Sequence, residues 1–190
     1  GGLPTPAGGF SVGGAAGPAG VCAPRRACPH GSPGPEQVAC PRRFYRAHYG
    51  GTDSTSCALC VAGGYCPAGS PQPVTCPRGY YCITGIAEPE PCRLGTYGNT
   101  TGVRRLEDCA ICEPGYYCDG FGLTAPAGPC APGYYCLEGA YASAPHAPGA
   151  PRVDEPTAIG GLCPAGGYCP LGSSFPSACE AGTYNNYTGA

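Results

Sequence analysis

At 190 residues the chain is long enough for one globular domain or two. Yet Val, Ile, Leu and Phe together number 23, Trp and Met are absent, and there are 34 glycines and 25 prolines, which excludes a continuous apolar core. Seventeen cysteines and a net charge of only −2 separate it from a disordered Gly/Pro-rich chain and place it with disulfide scaffolds, in which cross-links stand in for a core and the compartment is oxidising. All ten cations are arginine, scattered or in short pairs (Arg25-Arg26, Arg42-Arg43, Arg104-Arg105). They read as solvated surface, so no nucleic-acid partner is expected. No apolar run approaches the roughly 18 residues of a membrane span. With neither an initiator Met nor a signal peptide, the sequence reads as a mature chain or a piece of something longer.

In chain order, residues 1–21 lack cysteine and charge and read as a Gly/Ala/Pro linker or the tail of a preceding repeat. Residues 22–56 form a divergent cysteine-rich repeat, 57–108 and 109–136 two clear ones, and 163–190 a truncated one. The recurring stretch is Cys109-Ala-Ile-Cys112-Glu-Pro-Gly-Tyr-Tyr-Cys118, matched by Cys57-Ala-Leu-Cys60-Val-Ala-Gly-Gly-Tyr-Cys66. Its closing half, a Cys-x5-Cys loop ending in glycine, aromatic and cysteine, returns at Cys76–Cys82, Cys130–Cys136 and Cys163–Cys169, and as a spacing alone at Cys22–Cys28. Such fixed-period self-similarity marks an array of small structural modules. Between Leu137 and Leu162 the rhythm breaks, and this Pro-rich insertion predicts an exposed loop or hinge.

A second kind of unit alternates with the first. Cys40 and Cys57 lie 17 apart, as do Cys92 and Cys109, and Cys92-Arg-Leu-Gly-Thr-Tyr-Gly-Asn-Thr-Thr-Gly aligns without a gap on Cys179-Glu-Ala-Gly-Thr-Tyr-Asn-Asn-Tyr-Thr-Gly. The same spacing places a partner for Cys179 beyond residue 190, so Cys179 is expected to be unpaired within this sequence. Three Cys-x5-Cys units lie between Cys109 and Cys179 and two between Cys57 and Cys92, so pairwise cross-linking of units would leave one over. Joining each cysteine to the next removes the problem: Cys22–Cys28, Cys40–Cys57, Cys60–Cys66, Cys76–Cys82, Cys92–Cys109, Cys112–Cys118, Cys130–Cys136 and Cys163–Cys169. An interlocked scheme, Cys60 with Cys76 and Cys66 with Cys82, remains open. In the chain-entropy model a seven-residue loop contributes roughly 2.4 kcal/mol and an 18-residue loop roughly 3.2 kcal/mol.

The expected fold class is a set of small disulfide-rich repeats, an elongated rod of short β-turn and strand modules with almost no helix. Pro114-Gly115 and Pro132-Gly133 suit the middle positions of type II turns, because proline presets φ and glycine accepts a positive one. The paired tyrosines Tyr80-Tyr81, Tyr116-Tyr117 and Tyr134-Tyr135 are β-formers; one of each pair is expected to lie over the disulfide and the other to face outward or toward the next module, which makes all six candidate interface residues.

The pattern from Cys92 to Cys118, Cys-x2-Gly-Thr-Tyr followed by Cys-x2-Cys-x2-Gly-Tyr-Tyr-Cys, resembles the ephrin-receptor-like cysteine-rich repeat, a relative of tumour-necrosis-factor-receptor and growth-factor-receptor modules. The resemblance covers residues 57–136 well, 22–56 and 163–190 partly, and nothing before 22; unlike epidermal-growth-factor modules, the chain has no Cys-x-Cys. It implies non-catalytic extracellular modules of large surface glycoproteins, and arrays of this type in algae and protists resemble parts of flagellar-hair (mastigoneme) proteins. The expected partners are therefore further copies or other surface glycoproteins, and glycans, at the cell or flagellar surface. The expected role is structural, in a filament, flagellar hair or coat; the alternative is a ligand-binding ectodomain of a receptor or adhesion protein.

Two sequons, Asn99-Thr-Thr and Asn186-Tyr-Thr, each sit seven residues after their module's first cysteine and are candidate N-glycosylation sites. The Cys-x2-Cys pairs at Cys57 and Cys109 have zinc-ligand spacing but lack a matching second pair, so no metal is expected. His30, His48 and His146 have no nucleophile at a catalytic spacing, and Glu107-Asp108 and Asp154-Glu155 lack the further oxygen ligands of a calcium loop. No glycine-rich phosphate loop is present, and neither a cofactor nor an enzymatic activity is expected.

Overall fold

A computed structural model of the chain describes residues 9–10, 20–21, 26–27, 38–46, 57–145 and 159–190. The expected Cys22–Cys28 link, all three histidines, Asp154-Glu155, most of the linker and half of the insertion lie outside these residues. In the described half of the insertion Ala140, Ala142 and Pro145 are buried and Gly160–Leu162 is a paired strand, so that half is not the exposed loop its composition predicts. The fold is a series of small disulfide-rich hairpins: two-stranded antiparallel sheets throughout, with a single turn of 3-10 helix at Leu106–Asp108 among the described residues.

One backbone device repeats. Seven hairpins start at an opening cysteine (Cys40, Cys60, Cys76, Cys92, Cys112, Cys130 or Cys163), and the third residue after each of these, as after Cys179, has a positive φ, between 76 and 90°. Glu113 and Ala131 accept bonds from Tyr116 and Tyr134 at 3.1 Å, so Pro114-Gly115 and Pro132-Gly133 occupy the middle of closed turns, as their sequence predicts. At this turn position all are glycine except Arg43, the one non-glycine with positive φ among the described residues.

The turn delivers the chain into a short strand that pairs with the residues just ahead of the next opening cysteine. Phe44–Tyr45 pairs with Ala58–Leu59, Gly64–Tyr65 with Val74–Thr75, Tyr80–Tyr81 with Glu90–Pro91 and Thr96–Tyr97 with Ala110–Ile111. Tyr116–Tyr117 pairs with Gly128–Pro129, Tyr134–Cys136 with Gly160–Leu162, and Gly167–Tyr168 with Ser177–Ala178. Arg26–Ala27 pairs with Val38–Ala39, and Gly9–Phe10 with Gly20–Val21, the two residues ahead of Cys22. Hairpins this short are not stable alone in water, so their stability comes from covalent and inter-hairpin links.

Among the described residues seven disulfides supply the covalent part, each joining a cysteine to the next: Cys40–Cys57, Cys60–Cys66, Cys76–Cys82, Cys92–Cys109, Cys112–Cys118, Cys130–Cys136 and Cys163–Cys169. Cys60 and Cys76 thus each close a six-residue span rather than interlocking. Cys179 is a free cysteine.

The two kinds of unit distinguished by spacing prove to be one hairpin. The sixth residue after the opening cysteine, the closing position, is Cys66, Cys82, Cys118, Cys136 or Cys169 in five hairpins and Arg46 or Gly98 in the other two; Asn185 stands at the same place after Cys179. In the Arg46 and Gly98 hairpins the opening cysteine reaches 17 residues forward for its partner.

The chain divides into two compact units, Gly1–Cys76 with Cys82–Pro89, and Pro77–Tyr81 with Glu90–Ala190. Within the first, the Arg43 and Gly63 N–H groups donate to Cys66 and Cys82 carbonyls, Cys60 and Cys76 donate back to Arg43 and Gly63, and Gly69 and Gly85 donate to Cys40 and Cys60. Within the second the same three bonds recur from hairpin to hairpin: Gly79 to Gly98, Gly95 to Cys118, Gly115 to Cys136, Gly133 to Cys169 and Gly166 to Asn185, with matching bonds from each opening cysteine and from Gly122, Gly139, Gly172 and Gly189. These bonds are 2.6–3.2 Å long. A hairpin without a core of its own therefore satisfies its exposed backbone groups on its neighbour, as solenoid repeats do.

Candidate functional site: the tyrosines, the sequons and the exposed aromatic surface

The apolar inventory is concentrated where a tyrosine covers a disulfide. In the second unit Tyr81 clusters with Cys92, Val103 and Cys109, with Leu106 packed against them. Tyr97 clusters with Cys112 and Cys118, backed by Ala110 and Leu123, while Tyr117 and Tyr134 pack on Cys130, Cys136 and Ala140. At Tyr81, Tyr97 and Tyr117 the residue just before the closing position thus packs on the disulfide of the following hairpin, rather than its own. A flat ring on a sulfur bridge buries large apolar area at small cost in rotamer entropy.

Two of these phenols are anchored at their polar end. The Tyr81 hydroxyl donates to Glu90 Oε2 and the Tyr97 hydroxyl to Glu113 Oε1, each at 2.5 Å. The hydrogen bond to the carboxylate, followed by burial, raises both phenol pKa values above the ordinary 10.0. Tyr97 was not among the tyrosine pairs, because its neighbour is Thr96; its signal is its place in the hairpin, one residue before the closing position.

The six candidate interface tyrosines do not share one environment. Tyr81 is buried, Tyr80, Tyr117, Tyr134 and Tyr135 are half-buried, and Tyr116 is exposed. Tyr80 lies against Gly122, where an added Cβ would stand 3.4 Å from its ring, and the Tyr135 hydroxyl lies over Gly161 in the same way at 3.1 Å. Large exposed apolar surface in the second unit comes instead from Phe121, Phe175, Tyr184 and Tyr187, which are 65 to 86 % exposed; Tyr184 stands at the repeat position of the buried Tyr97. A groove of about 510 Å³ lies beside Phe121, with Arg93, Thr96, Ile111, Glu138 and Tyr141 also in its walls.

Both sequon asparagines are exposed. Each directly follows a closing position that carries no cysteine, Gly98 or Asn185. In the Asn185-Asn186 pair the first side chain is used internally: its Nδ2 donates to the Gly167 carbonyl at 2.9 Å, and its Oδ1 accepts from the Tyr187 N–H at 3.0 Å. That leaves the Asn186 amide on the surface, the access an oligosaccharide acceptor needs.

The zinc-like spacings are divided between bonds: Cys57 joins Cys40 while Cys60 joins Cys66, and Cys109 joins Cys92 while Cys112 joins Cys118. Among the described residues no group of three or more His, Cys, Asp or Glu is placed to hold a metal ion, and no helix is long and apolar enough to cross a membrane. Seven disulfides among the described residues fit a secreted or extracellular protein. Comparison with protein-family models and with curated protein sequences returns no match.

Proposed function

We propose that the chain is a non-catalytic structural segment of a large extracellular glycoprotein, in which stacked hairpins form a stiff, disulfide-stapled rod for assembly into a filament, flagellar hair or surface coat. The observation that carries this reading is the repeated set of backbone bonds between successive hairpins inside each compact unit, joined to the tyrosine-on-disulfide contacts of the second unit. Such stacking resists bending and, in solenoid proteins, extends by adding repeats. Asn99 and Asn186 carry N-linked glycans in this reading, and the exposed aromatics provide lateral contacts with copies or with other surface glycoproteins.

The groove beside Phe121 favours a second reading, a receptor or adhesion ectodomain that binds a ligand there. Negative-stain electron microscopy of the protein released from its source without reductant separates the two. Regular filaments or a periodic sheath containing this chain are the expected result. Isolated flexible monomers overturn the structural reading in favour of the ectodomain.

A further inference from the structure

We propose that Cys40–Cys57 is an exchangeable disulfide, opened by thiolates at Cys57 and activated by the buried guanidinium of Arg46. Three observations converge on it. Arg46 is 3 % exposed and its Nη2 lies 3.1 Å from Cys57 Sγ. Of the fourteen half-cystines in the seven described disulfides, Cys57 is the one that is not buried. Finally, the second long link, Cys92–Cys109, has the same 17-residue separation, but glycine (Gly98) at the position of Arg46, and both of its sulfurs are in buried residues.

Exchange requires access to one sulfur and stabilisation of the negative charge that develops along the line of three sulfurs; a neighbouring arginine does the second by favouring thiolate over thiol. A small-molecule thiolate attacks Cys57 Sγ, forming a mixed disulfide as the Cys57–Cys40 bond breaks and its electron pair leaves on Cys40 Sγ. A second thiolate then attacks the outer sulfur of the mixed disulfide and releases Cys57 as a thiolate beside Arg46. Two small thiols are oxidised to one disulfide and one protein disulfide is reduced, so the external thiol is the only reductant needed. Because Cys40 opens its hairpin, the exchange releases the first unit's long staple while the short loop Cys60–Cys66 stays closed.

The test titrates the full chain with reduced glutathione, traps free thiols with iodoacetamide at intervals, and maps labelled peptides by mass spectrometry. Cys40 and Cys57 are expected to label before Cys92 and Cys109 and before any short-loop pair. Arg46→Gln, neutral and of similar reach, is expected to slow the opening by on the order of three- to tenfold, whereas Arg46→Lys keeps most of the rate. Opening of Cys92–Cys109 at the same glutathione concentration overturns the proposal without any variant. Faster opening in Arg46→Gln also overturns it, because the arginine would then merely hold the hairpin shut.

Discussion

The hairpins that open at Cys40 and Cys92 are built on one backbone and closed by disulfides of one reach, yet they resolve the missing closing cysteine in opposite ways. In the Cys92 hairpin the closing residue is Gly98, and a Cβ there would stand 2.8 Å from the Gly79 nitrogen and 3.3 Å from Cys92 Sγ. The space is filled by backbone. In the Cys40 hairpin the same position holds Arg46, whose long side chain is buried against the Cys57 sulfur. The turn position differs in parallel: Gly95 faces the Gly139 carbonyl too closely for any side chain, whereas Arg43, despite its positive φ, turns its Nε to donate to the Gly85 carbonyl at 2.5 Å. A carbonyl approached by bare backbone in one hairpin is met by a guanidinium in the other. Repeats of this kind therefore conserve the positions of hydrogen-bond partners, while the groups that supply them change.

The largest effect that would test this contrast is loss of the long staples. Replacing Cys92 and Cys109 together by alanine is expected to cost about 3 kcal/mol, read as a lowered denaturant midpoint, since the link also anchors Tyr81 and Val103. The corresponding Cys40/Cys57 double variant is expected to lose less, because Cys57 is partly exposed. Equal losses would show that loop closure alone governs both. Next in size is Gly98→Ala, expected to destabilise by about 2 kcal/mol through the Gly79 backbone it would strike. A neutral result in thermal unfolding would mean that the hairpins separate easily.

Smaller still is Tyr97→Phe, expected to cost about 1 kcal/mol by removing the donor to Glu113. The pH dependence follows from the same bond. A phenol pKa raised in the fold means that the protonated form is favoured there, so the contribution is complete below the ordinary value of 10.0 and is lost as pH rises through the raised value. Ultraviolet titration of the folded protein should show a component from Tyr81 and Tyr97 ionising above the ordinary phenol value of 10.0, and that component should shrink in the Phe variant. Least disruptive is Asn99→Gln. At this exposed position stability should change by no more than about 0.5 kcal/mol, while intact-mass measurement of secreted protein loses one glycan; an unchanged mass would remove Asn99 as an acceptor.

Much of this fold was legible because its rules are local. Pro114-Gly115 specifies a turn through the φ values of two adjacent residues, and a cysteine six residues from another is held close by the turn between them. The alternation of two unit types was over-read: spacing registers where a disulfide ends, and the common hairpin becomes visible only when Gly98 and Arg46 are seen to occupy the place of a cysteine. The candidate surface was legible only in part. Tyr80-Tyr81 and Tyr116-Tyr117 are identical dipeptides, but at the second position Tyr81 is buried with Val103 and the Cys92–Cys109 bridge while Tyr117 is half-buried, and at the first Tyr80 is half-buried while Tyr116 is 46 % exposed. No property of the pair itself distinguishes them.

By itself the sequence determined the cysteine spacing, the glycine turns and the disulfide-rich class, because each depends on residues within one loop; the choice of nearest-neighbour over interlocked pairing came from the structure. Tertiary structure alone decided which tyrosine is buried, which asparagine of the 185–186 pair faces out, and that Arg46 stands against a disulfide. Those outcomes depend on what the adjacent hairpin places opposite each side chain, and a group's solvation and charge environment are set by neighbours in space that the spacing of the chain does not specify.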